Sequence, residues 1–168
     1  GRAFLGLGVG AGLETVGINY PRPVRTLRES ITVIRSLLDG ETVGFAGETV
    51  RLEPSRLVRP TERRPPLVIG TRSPAVMRLA GEVADRVLVG ARYLSPELAA
   101  TYRAWLSDGA DRAGRDVNLI EVAPRLTLCV SENGEAARAS VKRYVAHYVS
   151  LLRPTELGLD PGWLDDLD

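Results

Sequence analysis

Apolar and polar residues are arranged along the chain in segments that predict strands and helices in alternation. Short apolar runs that end at glycine or at charged residues predict strands, and these runs are 2–10, 67–70, 86–90 and 125–130. Apolar residues spaced three and four apart predict amphipathic helices, and these segments are 26–39, 74–84, the segment that starts at Ser95, and 134–152. Because strands and helices alternate, we expect an α/β fold with a parallel sheet, closed as a barrel or open as a doubly wound sheet.

A helix and a β-hairpin are predicted between the first two of these strands. Thr26 and Glu29 have the spacing of a capping box, and Gly40 supplies a stop after the helix. Further along, apolar residues alternate on both sides of Ala46-Gly47, which predicts a small β-hairpin.

The strand at 67–70 passes through Gly70, Thr71, Arg72 and Ser73 directly into a helix. In parallel α/β folds, ligands bind at the carboxyl ends of the strands, so this junction is a candidate site. Gly70 lets a ligand approach the backbone, and Arg72 offers donors that suit phosphate. Thr71 and Ser73 add hydroxyls, and free N–H groups at a helix start favour an anion. We interpret the junction as a phosphate site, although a simple helix cap beside a solvated arginine fits the spacing equally well.

A second glycine cluster lies in and just after the first strand, at Gly6, Gly8, Gly10 and Gly12. The dinucleotide fingerprint G-x-G-x-x-G would need glycine where Ala11, Leu13 and Thr15 stand, which argues against a nucleotide-dependent dehydrogenase on an open sheet. We expect the earlier glycines to relieve crowding in the strand. The later ones let the chain turn and leave room for a flat ligand ring.

Other chemistry-bearing residues do not form a catalytic group. The single histidine, His147, shares a polar helix face, and the single cysteine, Cys129, is expected to pack in the core of an apolar strand. One histidine and one distant cysteine cannot build a metal site. Glu82 and Asp85 are expected to serve packing and solubility, so we name no catalytic residue.

Composition and charge bear on the partners and the cellular setting of the protein. The chain has 168 residues, a formal charge of +1 and no block of like charges, so we expect neither nucleic acid nor a membrane as partner. A lone cysteine fits a reducing, cytoplasmic setting. Since the only methionine is the internal Met77, we expect sequence to be missing before Gly1.

Three stretches together resemble a known family. They are GRAFLGLGVGAG, GINYPRPVRTLRESITVIRSLLDGETVGFAGE and PPLVIGTRSPAVMRLAGEVADRVLVG. The resemblance is to the luciferase-like monooxygenase superfamily, in particular its branch of methylenetetrahydromethanopterin reductases and other coenzyme F420-dependent oxidoreductases. It implies a (β/α)₈ TIM barrel. A complete barrel takes about 250 residues, so the resemblance makes residues 1–168 a single domain that holds the middle to later strands and is incomplete at both ends.

The resemblance also implies where a cofactor binds. A flavin or deazaflavin would lie at the carboxyl end of the barrel, with its phosphate-bearing tail at 70–73 and its ring beside Gly8 and Gly10. In the sugar-phosphate dehydrogenases of the family, an acidic residue stands two places after a hydroxyl residue at this strand end. Here those places are Val9 and Ala11, which argues against that substrate. The loop at 91–93 would face substrate or cofactor without an assigned role.

The function that the resemblance implies is hydride transfer between reduced coenzyme F420 and a small organic substrate. An FMN-dependent monooxygenase that uses dioxygen is the alternative, and a flavin-binding barrel without turnover is a third interpretation. The resemblance leaves a homodimer open.

Overall fold

The structure is a computed structural model that describes residues 3–10, 13–18, 21–59, 61–90, 95–125 and 128–151. The chain divides into two compact units. The first consists of Gly1–Gly90 with Thr101–Pro124, and the second of Ala91–Ala100 with Arg125–Asp168. The prediction of a single domain over 1–168 stays a prediction.

Strands and helices alternate after the first hairpin, as the sequence predicts. The strands are β1 Leu5–Leu7, β2 Val43–Ala46, β3 Arg51–Ser55, β4 Leu67–Thr71, β5 Arg86–Val89 and β6 Glu121–Pro124. The helices are α1 Pro23–Leu38, α2 Pro74–Val83, α3 Pro96–Arg112 and α4 Gly134–Leu151.

Four of the strands form a parallel sheet in the first unit. Their order is β1-β4-β5-β6, and every adjacent pair is parallel. In this register Ile69 stands beside Leu7 on one side and Val87 on the other. The expected parallel sheet is therefore confirmed, and the carboxyl ends of its strands lie at one edge.

One face of this sheet carries the core. Along β4 the side chains of Leu67, Ile69 and Thr71 are buried, whereas Gly70 between them is exposed on the opposite face. The buried helix residues that share this core are Leu27, Ile31, Val76, Met77, Leu79, Leu106 and Ala110. Gly70 thus belongs to the face that the described helices leave uncovered.

Helices α2 and α3 cross at two glycines. A Cβ atom on Gly109 would overlap the carbonyl group of Arg78 and lie 2.8 Å from its Cα. A Cβ atom on Gly81 would overlap the carbonyl oxygen of Leu106 and lie 2.7 Å from the amide nitrogen of Ala110. The two backbones approach so closely because both crossing positions lack a side chain.

The end of α2 is held by two arginines from other elements. Arg115 donates from Nη1 to the carbonyl of Gly81 at 2.8 Å and from Nη2 to that of Ala84 at 2.7 Å. Arg35 of α1 donates to the carbonyl of Val83. These donors satisfy carbonyls that a helix end leaves without partners. Helix α2 is therefore fixed at its C-terminal end.

The predicted capping box at Thr26 and Glu29 is wrong. Helix α1 begins three residues before Thr26, at Pro23, and the Thr26 hydroxyl donates to the carbonyl of Arg22 within the helix. Proline supplies the start because it has no N–H to satisfy. The predicted stop is confirmed, since Gly40 takes a φ of 80° and donates to the carbonyl of Leu37.

Glu29 instead anchors the β2–β3 hairpin, which the sequence correctly predicts. Its side chain is 7% exposed, and its carboxylate accepts from the amides of Glu48 (3.0 Å), Thr49 (3.0 Å) and Val50 (2.9 Å) and from the Thr49 hydroxyl (3.0 Å). Gly47 admits the carboxylate, because a Cβ there would overlap it. Burial raises the pKa of Glu29, but the hydrogen bonds from Thr49, Val50 and Glu48 outweigh it and hold that pKa at about 2.

This carboxylate gives stability a specific pH dependence. Because the pKa of Glu29 falls from 4.5 to about 2 on folding, its ionised form stabilises the fold above pH 4.5. The contribution is lost as the pH falls from 4.5 towards 2. We expect Glu29→Gln to lower the urea midpoint at neutral pH, and the gap from the wild type to narrow in acid.

The control for this prediction is Glu53→Gln, which changes an exposed carboxylate on β3 of the same hairpin. Its urea midpoint should follow the wild type at every pH. A gap between wild type and Glu29→Gln that stays constant down to pH 2 would contradict the role of the Glu29 charge.

The predicted strand at 125–130 is wrong at the described residues 125 and 128–130, which form no strand. The strand at this point of the chain is β6, which pairs with β5 from Arg86 opposite Glu121 onwards. An ion pair between these two side chains, with Nε and Oε2 2.8 Å apart, supports the register. Cys129, expected in the core, is exposed.

In the second unit, α4 confirms the predicted helix through Leu151. The Asn133 side chain caps its start by accepting from the amides of Glu135 and Ala136. Cys129 Sγ lies 3.0 Å from Ser140 Oγ. The side chain of His147, expected on a polar face, lies outside the described side chains.

Candidate functional site at the strand ends

The structure brings the two predicted glycine regions together. A Cβ atom placed on Gly8 would lie 3.3 Å from the carbonyl oxygen of Gly70, so the segment after β1 runs directly beside the end of β4. The amide of Gly90, which follows β5, donates to the carbonyl of Thr71 at 3.0 Å. The ends of β1, β4 and β5 therefore form one continuous surface.

Gly70 faces open space on this surface. Among the described residues, its two chain neighbours aside, no atom lies within 4 Å of the position that its Cβ would take, and the residue is exposed. Its φ is not among the positive values, so the backbone does not require glycine there. Neither backbone strain nor crowding by a neighbouring side chain therefore explains why this residue is glycine. Close approach of a ligand to the backbone would explain it.

The start of α2 offers free backbone donors. Ser73 occupies the N-cap position that the sequence predicts, but its side chain makes no capping hydrogen bond. The first amide of the helix to bond is that of Met77, which donates to the carbonyl of Ser73 at 2.8 Å. In the described part of the chain, no acceptor reaches the amides of Ala75 and Val76. Such donors, with the helix dipole, bind anions.

Arg72 lies next to these donors and is exposed. Among the described residues, no carboxylate or carbonyl pairs with its guanidinium. An arginine left without an internal partner beside an uncapped helix start is suited to a phosphate. The alternative of a simple helix cap beside a solvated arginine is matched by the exposed Arg72, whereas the Ser73 hydroxyl makes no capping bond.

Thr71 is expected to add a hydroxyl to the phosphate site, and contact between this hydroxyl and a ligand stays a prediction. The residue is 8% exposed, and Oγ1 accepts from the amide of Ser73 at 2.9 Å. Its hydroxyl is thus engaged within the loop.

Gly10 makes a turn. Its φ of 73° lies in the left-handed region, and a Cβ there would come within 3.0 Å of the Leu13 side chain. This geometry supports the turn that the sequence predicts and accounts for the glycine without a ligand. Contact between Gly10 and a cofactor stays a prediction, and the loop at 91–93 lies outside the described residues.

Sequence reasoning predicted the free amides at the start of α2 but missed Gly90 as part of this surface. Gly90 carried a usable signal, since it ends the apolar stretch of β5 as Gly70 ends that of β4. Every helix start has amides without a partner in the helix, and the sequence does not show whether a side chain caps them.

The described ranges contain neither a metal-binding cluster nor a membrane-spanning helix. No group of three or more histidine, cysteine, aspartate or glutamate residues there could hold a metal ion. No helix there has both the length and the apolar character needed to cross a bilayer.

The model of the family described as luciferase-like monooxygenase matches residues 1–166. The chain belongs to this family. The resemblance carried by the three sequence stretches is confirmed over nearly the whole chain.

Relatives within the luciferase-like family include F420 enzymes. The chain is 32% identical over 152 residues to a 5,10-methylenetetrahydromethanopterin reductase from Methanolobus tindarius, covering 89% of this chain and 46% of that protein. It is 28% identical over 151 residues to an F420-dependent glucose-6-phosphate dehydrogenase from Nakamurella multipartita, covering 87% and 44%. The chain thus spans about half the length of the curated relatives that it matches.

A solved structure shows the same fold. The coenzyme F420-dependent tetrahydromethanopterin reductase from Methanopyrus kandleri superposes with a TM-score of 0.81 at 26% identity, over 95% of this chain and 52% of that one. The four-stranded parallel sheet with its helices is therefore part of a luciferase-like TIM barrel. The expectation of a partial barrel is confirmed.

Proposed function

We propose that the protein is a coenzyme F420-dependent oxidoreductase in which a hydride passes between the cofactor and a small organic substrate. Support comes from the relatives, whose names include F420-dependent reductases and dehydrogenases. The single observation that carries the proposal is the uncapped start of α2 at the carboxyl end of a barrel strand, beside Arg72, which has no partner in the part of the chain that the structure describes.

The residues present fit the phosphate-bearing tail of such a cofactor. Arg72 would offer its guanidinium, and the amides of Ala75 and Val76 would donate to phosphate oxygens. The Ser73 hydroxyl, free of a capping bond, would add a further donor. All of these groups are donors, as an anionic tail requires.

The glycines fit the part of the cofactor that is flat. Gly8 and Gly70 present backbone without side chains, and Gly70 has open space in front of it. Reduced F420 would supply the hydride when bound, whereas residues 72–76 would bind its tail and the glycines would leave room for its ring. We assign no acid or base to the described residues.

An FMN-dependent monooxygenase is the second candidate. The description of the matching family favours it, since that family is the luciferase-like monooxygenases. The donors at 72–76 suit the phosphate of FMN as well as that of F420. A homodimer stays a prediction.

The role of Arg72 can be tested by cofactor affinity. Arg72→Ala in the full-length protein is expected to weaken F420 binding by about 1–3 kcal/mol, because a hydrogen bond to a charged group is lost. The measurement is an equilibrium titration followed by tryptophan fluorescence.

The matched control is Arg63→Ala. Arg63 is likewise exposed and without a partner among the described residues, but it lies in the loop before β4, at the opposite end of that strand. Its removal should leave the affinity for F420 unchanged. Equal affinity of the Arg72→Ala variant and the wild type would remove Arg72 from the site.

Turnover separates an enzyme from a flavin-binding barrel without activity. Reduced F420 is mixed with the full-length protein and a panel of pterins, aldehydes and unsaturated carbonyls, and its oxidation is followed by absorbance. Substrate-dependent oxidation supports the reductase. Binding of F420 without oxidation by any member of a broad panel would favour the inactive barrel.

A further inference from the structure

Thr71 joins three parts of the strand-end surface. It is the last residue of β4, and its side chain turns towards the buried face of the sheet, away from the open face of Gly70. Its Oγ1 accepts from the amide of Ser73 at 2.9 Å, and its carbonyl oxygen accepts from the amide of Gly90 at 3.0 Å. One residue thus ties the β4 end both to the start of α2 and to the end of β5.

We propose that Thr71 is a positioning residue of the cofactor site, which holds the 71–73 turn so that Arg72 and the first amides of α2 remain available to the phosphate of the cofactor. This inference rests on the proposed function. It assigns Thr71 a role different from direct contact, because a residue that is 8% exposed has little surface to offer a ligand.

The hydroxyl is the part of Thr71 that this role requires. Valine has nearly the same shape and equally restricted χ1, so it would fill the same buried space. It cannot accept a hydrogen bond, and the Ser73 amide would then lose its partner within the loop. The turn before α2 would then lose the side-chain bond that holds it in the geometry seen here, with Arg72 exposed beside the helix start.

The hydrogen bond from the Gly90 amide explains why the effect of removing the Thr71 hydroxyl would be local. It is accepted by the backbone carbonyl of Thr71, which every substitution at this position retains. The β4–β5 pairing, which extends from Val68 opposite Arg86 to Thr71 opposite Val89, is also independent of the hydroxyl. Removal of the hydroxyl therefore changes the turn and leaves the sheet in place.

The test compares Thr71→Val and Thr71→Ser with the wild type in the full-length protein. Affinity for F420 is measured by fluorescence titration, and the urea midpoint of each variant is measured alongside. We expect Thr71→Val to raise the Kd for F420 about tenfold, as for the loss of one hydrogen bond that orders the site. We expect Thr71→Ser, which keeps the hydroxyl, to bind within about twofold of the wild type.

Steady-state kinetics add a readout that packing alone would not move. For an active substrate, Thr71→Val should raise KM for F420 and leave kcat near the wild-type value, because the binding of the tail changes and the reacting ring does not. If Thr71→Val does not fold, Thr71→Ala takes its place, with Thr71→Ser as the rescue.

The outcomes are distinct. Wild-type affinity in the valine variant would overturn the positioning role, and so would equal weakening by valine and serine, because serine keeps the hydroxyl to which the role is assigned. A wild-type protein that binds neither F420 nor FMN would overturn the proposed function itself. Weakening by valine with rescue by serine supports both.

Discussion

Replacement of Gly109 by alanine is expected to destabilise the full-length protein by about 3 kcal/mol, at the upper end of what overpacking costs. The added Cβ would overlap the carbonyl group of Arg78 and lie 2.8 Å from its Cα. A side chain could rotate away from such a contact, whereas the backbone of a packed helix cannot. Helices α2 and α3 would have to separate, and the core that they share would lose contacts.

The matched control for this prediction is Gly134→Ala. Gly134 is also helical, at the start of α4, but nothing lies within 4 Å of the position of its Cβ. Alanine there should leave stability unchanged or raise it slightly, because it reduces the freedom of the unfolded chain. Urea unfolding of both variants gives the comparison. Equal midpoints for Gly109→Ala and the wild type would contradict the close crossing of α2 and α3.

Replacement of Gly70 by leucine is expected to weaken F420 binding by about 100-fold or more, which corresponds to about 2.7 kcal/mol. The leucine side chain would extend into the open space in front of Gly70, where the proposed cofactor needs close approach to the backbone. The fold should tolerate it, because φ is not positive and no atom of the described residues, chain neighbours aside, lies within 4 Å of the Cβ position.

Gly70→Ala provides the graded comparison, with a smaller loss of affinity expected from a smaller group. The unfolding midpoints of both variants should match the wild type within experimental error. A leucine variant that binds F420 as tightly as the wild type would show that the cofactor does not approach Gly70. A variant that loses binding only because it unfolds would show that Gly70 serves the fold.

Hydrophobic periodicity was sufficient to predict the helices and the two central strands. In α2, Val76, Leu79 and Ala80 are all buried, as their spacing predicts, because one stripe of the helix packs on the sheet. Strand β4 is recognisable for the same reason, since it combines buried Leu67 and Ile69 with a glycine at its end. Burial on one face leaves a signal in the sequence.

Strand β6 could not be predicted in this way. Its four residues, Glu121–Pro124, are all exposed, and what makes them a strand is pairing with β5. Leu128 and Val130, which gave the neighbouring segment its apolar pattern, are 81% and 93% exposed. Strand formation here depends on pairing with a neighbouring strand, which the local sequence pattern does not reveal.

Glu29 shows a similar limit for local motifs. Its spacing from Thr26 matches a capping box, but its hydrogen-bond partners stand about 20 residues later, in the hairpin turn at 48–50. A carboxylate satisfies whichever donors the tertiary structure brings to it. At the candidate site, the position of Ser73 was predictable, whereas the missing side-chain cap and the buried hydroxyl of Thr71 were not.

The central claim is that the strand-end surface around Gly70 and Arg72 binds the cofactor of a luciferase-like oxidoreductase. Its most direct test is an equilibrium titration of the full-length wild-type protein with F420 and, separately, with FMN, followed by tryptophan fluorescence. We predict tight binding of F420 and weak or no binding of FMN. Tight binding of FMN alone would favour the monooxygenase instead, and binding of neither cofactor would contradict the site.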